Sequence, residues 1–304
     1  MRAPGTFLIT FDVELIWGVF FDAGWRRRAE QRWGSVRDVF ADILSVLDRH
    51  GIPATFAFVG HLFLDRCERG PDGRTHGEMP RFEHAFFPGD WYDLDPGTNL
   101  ETDSLWYGAD LVAAVRDAAP DHEIGCHGFS HAFLESDRDL ARAEIAASAA
   151  AAREAGFEPR SFVYPQNRVG FTDELAPAGF THYRETYEKP SRAVSLLLRA
   201  IGDDPPVARA VRTGDVIRVP GGLPIVPAMG VRRIVTMRSR LREIRRGLAR
   251  AAAEEAVFHL WTHPHNFVEG REFMIRYLDR AMEIVARARD EGAVDVVTMS
   301  GVTA

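Results

Sequence analysis

The chain has 304 residues, 46% of them hydrophobic and 27% charged, enough to bury a large core, which excludes disorder, collagen and coiled coil. Its 37 lysines and arginines stand against 44 aspartates and glutamates, a formal net charge of −7; that removes the broad cationic field on which non-specific nucleic-acid binding relies. The two cysteines, Cys67 and Cys126, lie far apart and imply no disulfide framework, and Lys189 is the single lysine, so a Schiff-base mechanism has one candidate.

Thr6 to Val13 reads as a buried strand. The apolar stretch from Phe7 to Phe21 carries Asp12 and Glu14 in its middle and so reads as neither signal peptide nor membrane span. With nothing else near eighteen uninterrupted apolar residues, a soluble, cytoplasmic protein is expected. A helix follows from Ser35 to His50, with Val36, Val39, Phe40, Ile43, Leu44 and Leu47 at helical spacing and Gly51 as its stop. Further strands are predicted over Ala54 to Val59, His122 to Cys126, Ser161 to Tyr164, Phe180 to Tyr183, Val216 to Val219, Val257 to Trp261 and Val294 to Met299. Helical patterns stand between them: Leu111 to Ala118, Arg138 to Ala155 and Arg271 to Arg289.

Strand and helix alternate along the whole chain, which argues for one α/β domain over residues 1–304 with a parallel sheet, doubly wound or closed into a barrel. Two long segments, 61–107 and 188–255, the second with an arginine-rich helical pattern from Arg232 to Arg250, read as insertions that cover the site.

Four segments carry candidate chemistry, each just after a strand. Asp12 and Glu14, at i and i+2, project to one side of the first strand, and buried carboxylates need a metal or a cation. His127 and His131, at i and i+4, would share one face of a helical turn and reach one ion. His263 stands at the mouth of a late strand that Pro264 ends; His265 is a weaker candidate, and His259, inside the strand, reads as a packed histidine. Tyr164, Pro165, Gln166, Asn167 and Arg168 form a polar stretch after another strand.

In this order the four segments resemble the NodB-homology, or polysaccharide deacetylase, family. The matches are Thr10 to Glu14, His127 to His131, Tyr164-Pro165, and Leu260 to His263. The resemblance implies a distorted (β/α) barrel and metal-dependent hydrolysis of a C–N amide bond. It assigns one divalent ion, zinc by preference, to Glu14, His127 and His131, the general base to Asp12 and the general acid to His263. Asp12 and Glu14 stand open to an exchange of roles, since the family's two adjacent aspartates are here Asp12 and Val13, with Glu14 following. The family arginine that orients the base is missing from the proline loop, and Arg168 is the candidate replacement. Trp17, Tyr164, Asn167, Arg168 and His265 are the expected substrate contacts, with Trp91, Tyr92 and Trp106 as further stacking faces. The expected substrate is an N-acetyl or N-formyl amino sugar, nucleotide-linked or lipid-linked, whose phosphate the arginines of Arg232 to Arg250 could meet. A ring-opening hydrolase of cyclic imides and an inactive sugar-binding relative stand as alternatives.

Overall fold

A computed structural model describes residues 3–84, 86–185 and 204–304. Among these, ten strands form one sheet: β1 (Gly5–Val13), β2 (Thr55–Phe58), β3 (Glu123–Cys126), β4 (Ser161–Phe162), β5 (His182–Arg184), β6 (Val211–Thr213), β7 (Val216–Val219), β8 (Leu223–Pro224), β9 (Val257–Thr262) and β10 (Val294–Val296). The helices are α1 (Ala23–Arg32), α2 (Val36–His50), α3 (Ala109–Arg116), α4 (Arg138–Glu154), α5 (Met237–Glu254) and α6 (Arg271–Asp290). The strand order is β6-β7-β5-β4-β3-β2-β1-β9-β8, with β10 also on β1. Every pairing is parallel except β6 with β7.

The sheet is curled, and one contact demonstrates it. β5 and β1 lie four strand positions apart, about 19 Å in a flat sheet, yet Arg184 of β5 grips Asp12 of β1 at 2.6 and 2.7 Å. This is the barrel-like form that the family resemblance implies, one of the two that the alternation of strand and helix leaves open.

Alternation along β1 sets the two sides. Phe7, Ile9, Phe11 and Val13 face the helices in the main core, where α2 contributes Val36, Val39, Phe40, Ile43 and Leu47. Leu8 faces inward with Ala57, Val163, Val219, Met299 and Val302 in a smaller cluster that fills the barrel. Residues 299–302 close the barrel at the strand starts: Met299 N–H donates to Thr55 Oγ1, Ser300 N–H to Glu123 Oε2, and the Val302 carbonyl lies 3.0 Å from His182 Nε2.

Three expectations about the elements change. The strand expected at Phe180 to Tyr183 is His182–Arg184, because Phe180 still closes the preceding turn through its N–H to Leu175 O. The shift places Arg184 within the sheet. Of the expected insertion 188–255, residues 188–203, Lys189 included, lie outside the described residues. The remainder supplies β6, β7 and β8 and the helix α5, which begins at Met237 after the Thr236 cap rather than at Arg232. No described helix is long and apolar enough to cross a membrane.

Candidate active site

Above Leu8, the inward residues of β1 turn polar. Thr10 comes next, then Asp12, both buried. Val13 points into the outer core, and at Glu14 the backbone leaves the strand conformation (φ −111°, ψ −29°), which brings its carboxylate beside that of Asp12. Gly18 makes room for it: a Cβ there would stand 1.9 Å from Glu14 Oε2.

Three imidazoles converge on Glu14. Its Oε1 lies 3.0 Å from His127 Nε2, 3.1 Å from His131 Nε2 and 3.2 Å from His263 Nε2. His127 and His131 do not share a helical turn. They sit in an irregular loop after β3 in which Gly128 (φ +70°) and His131 (φ +62°) are left-handed. The buried Glu144 of α4 makes that loop possible, accepting from the N–H groups of Phe129 and Ser130, the Ser130 hydroxyl and the Tyr92 hydroxyl. His127 Nδ1 is 2.7 Å from the Val163 carbonyl, which can only accept, so Nδ1 carries the proton and Nε2 presents its lone pair. Two imidazoles and a carboxylate within 4.8 Å of one another form the donor set of a zinc-type site. Without a cation the bare Nε2 of His127 would face a carboxylate oxygen 3.0 Å away, so the residues present fit a divalent ion.

Arg184 is the residue that sequence reasoning missed. Its Nη1 and Nη2 hold the two carboxylate oxygens of Asp12, Nη1 also donates to Thr10 Oγ1, and Nε and Nη2 donate to Asn167 Oδ1. Burial alone would raise the Asp12 carboxyl, but the Arg184 guanidinium beside it holds it below the ordinary carboxylate value. Arg168, the expected orienting group, instead pairs with Glu135 at 2.5 Å and is half exposed. No motif spacing marks Arg184; its only sequence signal is its place directly after the segment Phe180 to Tyr183 that reads as a strand. Below this pair, His259 links Thr10 Oγ1 through Nε2 and the Pro220 carbonyl through Nδ1, and burial pushes it down to about 3, so it is a neutral strut.

His263 lies 3.8 Å from Asp12 Oδ2, with its Nδ1 beside the Asn266 amide nitrogen. Burial would lower it, but the Glu14 and Asp12 carboxylates raise it above the ordinary imidazole value. His265 stacks between His263 and Trp33, at ring distances of 4.8 and 4.2 Å.

These groups open into a cavity of about 480 Å³. Asp12, Glu14, His127, His263, Asn167 and His265 line it, so six of the ten expected residues meet there, and His131 touches the same Glu14 oxygen from behind. Trp17 and Tyr164 do not line it. Trp17 is wholly buried, donating its indole N–H to Trp106 O and packed on Phe20, His61 and Trp106, and Tyr164 is buried against Phe162 and Tyr183. Trp91, Tyr92 and Trp106 are core residues too. The cavity's aromatic faces are instead Phe21, Trp25, Trp33 and Trp261, with Arg28 and Arg232 as cations. None of the described residues of 61–107 lines it. They pack behind the His127–His131 loop, where Trp91 Nε1 donates to Ser130 O, because their aromatic rings find apolar partners there rather than solvent.

A family model described as polysaccharide deacetylase matches residues 14–176. No curated protein sequence matches the chain. Among solved structures, a protein from Mycobacterium smegmatis described as a polysaccharide deacetylase superposes with a TM-score of 0.61 at 19% identity, covering 98% of this chain and 91% of that one. A family 4 carbohydrate esterase from Streptomyces lividans in complex with acetate superposes at 0.43, with 12% identity over 96% and 92% of the two chains. A family 4 pseudoenzyme from Bacillus anthracis also reaches 0.43, at 12% identity over 98% and 65%.

Proposed function

The chain belongs to the polysaccharide deacetylase family, and from that premise we propose that its cavity removes an N-acyl group from an amino sugar by metal-dependent amide hydrolysis. The observation that carries the reading is the convergence of Glu14, His127 and His131 beside an Asp12 locked by Arg184, with Asp12, Glu14 and His127 on the wall of one cavity. Glu14, His127 and His131 would hold the ion. Bound there, a zinc-type ion lowers the pKa of a coordinated water and polarises an amide carbonyl.

The protein's own groups divide the remaining work. Arg184 keeps Asp12 ionised and fixes its plane, so Asp12 can accept a proton from the attacking water as general base. The Asn266 amide nitrogen donates to His263 Nδ1, which leaves the Nε2 proton to face the carboxylates and the cavity, the position for a general acid toward the departing amine. Trp25, half exposed on the cavity wall, offers a stacking face for a sugar ring. Arg232, exposed on the cavity wall, suits the phosphate of a nucleotide-linked or lipid-linked substrate.

The test is acetate release from a panel of a nucleotide-diphosphate N-acetylhexosamine, neutral N-acetylated oligosaccharides and a cyclic imide, with and without a chelator. Chelator-sensitive release from the first, lost in His127→Ala/His131→Ala and weakened in Arg232→Ala, is the expected result. Ring opening of the imide without acetate release would replace the reading by that of a cyclic-amide hydrolase, and binding without turnover by that of a sugar-binding relative.

A further inference from the structure

Residues 61–107 hold a second group of metal-ligand side chains, behind the cavity and separate from the first. His61, Cys67, His76 and Asp95 each present one donor atom, all within 4.8 Å of one another. Asp95 Oδ2 is the hub, 3.0 Å from His76 Nε2, 3.4 Å from Cys67 Sγ and 3.5 Å from His61 Nε2. Four ligands at zinc distances of 2.0–2.3 Å stand about 3.3–3.8 Å apart in a tetrahedron, close to these spacings.

The proton positions point the same way. His61 Nδ1 lies 3.1 Å from the Trp106 carbonyl, an acceptor only, so Nδ1 carries the hydrogen. His61 Nε2 is then a bare lone pair, fully buried and without a hydrogen bond, facing the Asp95 carboxylate. A buried lone pair aimed at a buried carboxylate is unfavourable unless a cation stands between them. The surrounding contacts are those that orient ligands. The Tyr107 hydroxyl oxygen accepts from Thr98 N–H and lies 3.2 Å from Cys67 Sγ, and Asp95 Oδ1 accepts from Gly97 N–H.

We propose that His61, Cys67, His76 and Asp95 bind a structural zinc ion that fastens residues 61–95 onto the back of the candidate active site. The set is closed, two imidazoles, a thiolate and a carboxylate with no protein position left over, as structural zinc requires. Its consequence for the neighbouring loop follows from the backbone: Gly60 N–H donates to Gly128 O and His61 N–H to Phe129 O, so the ion clamps the stretch between His127 and His131. The His76 ring also rests 5.2 Å from that of Phe129.

Cobalt substitution separates this site from the other, because only this one contains a thiolate. Full-length protein loaded with cobalt(II) should bind two ions per chain and show the near-ultraviolet thiolate-to-cobalt absorption. Cys67→Ser should abolish that absorption and bring zinc from two equivalents to one, whereas Cys126→Ser should change neither. His127→Ala/His131→Ala should also drop to one equivalent but keep the absorption. His76→Ala serves as a second ligand variant should Cys67→Ser fold poorly, with the same loss of one equivalent expected. A parent protein with no thiolate band and at most one equivalent of zinc would overturn the proposal, whatever the fate of the deacetylase reading.

Discussion

Arg184→Met removes the cation beneath Asp12 while preserving most of the side-chain volume. Arg184 is buried (2% exposed) and makes two contacts to Asp12, at 2.6 and 2.7 Å, and two to Asn167 Oδ1, at 2.8 and 3.1 Å. Stripping one partner from a buried ion pair costs about 3–5 kcal/mol, because the remaining charge is left without solvent or counter-ion. Asp12 would avoid part of that cost by taking up a proton, since burial alone raises its carboxyl. A protonated Asp12 is no base, so kcat should fall by about 10²–10⁴. The assay is a double-mutant cycle by urea denaturation with acetate release measured in parallel. Asp12→Asn in the Arg184→Met background should recover stability, with a coupling of about 3 kcal/mol, while activity remains lost. A parent-like kcat in Arg184→Met, or a coupling below about 0.5 kcal/mol, would refute the assignment of Arg184 as the group that positions Asp12.

Gly18→Ala places a Cβ 1.9 Å from Glu14 Oε2, the movable end of a side chain; stability should change little, while zinc affinity in a competition titration falls about 10–100-fold, as for displaced ligand supports. Glu144→Ala leaves the Phe129 and Ser130 N–H groups without their acceptor and should lower unfolding free energy by about 2–4 kcal/mol, with zinc affinity reduced as the histidine loop relaxes. Acid should destabilise the fold through His259. Its folded pKa, about 3 against an ordinary 6.5, keeps it neutral while the unfolded chain takes up a proton, so its contribution is intact above pH 6.5 and is lost as pH falls toward 3. The loss is at most about 5 kcal/mol. Urea midpoints across that range should slope less steeply in His259→Asn, and an unchanged slope would count against the neutral strut.

Much of the fold is legible in local patterning. The α2 stripe and its Gly51 stop, the alanine-rich α4 and the apolar runs of β1 and β9 appear in the structure within a residue or two of their predicted bounds. The candidate site was legible where its residues recur at short spacing after a strand, as in Asp12-Val13-Glu14 and His127 to His131. It was illegible where a partner arrives from a distant strand. The Asp12–Arg184 pair spans 172 residues and the His61–Asp95 contact 34, and neither separation has a sequence signature. The aromatic residues misled for a related reason. Tryptophan stacks on sugars and fills cores alike, and composition cannot say which face of Trp17 or Trp91 meets a ring and which meets solvent.

The sequence by itself determined most of the strands and helices, their order, and the polar residues at strand ends, because alternation and helical spacing are properties of neighbours along the chain; α1, β6 and β8 carry no such pattern and went unread. Only the tertiary structure decided which arginine holds Asp12, why the two histidines sit in a loop rather than a helix, and which aromatic rings line the cavity. Those outcomes depend on how far the sheet curls and on a carboxylate reaching over from α4, and curvature and cross-chain hydrogen bonds are fixed only when all the strands are in place.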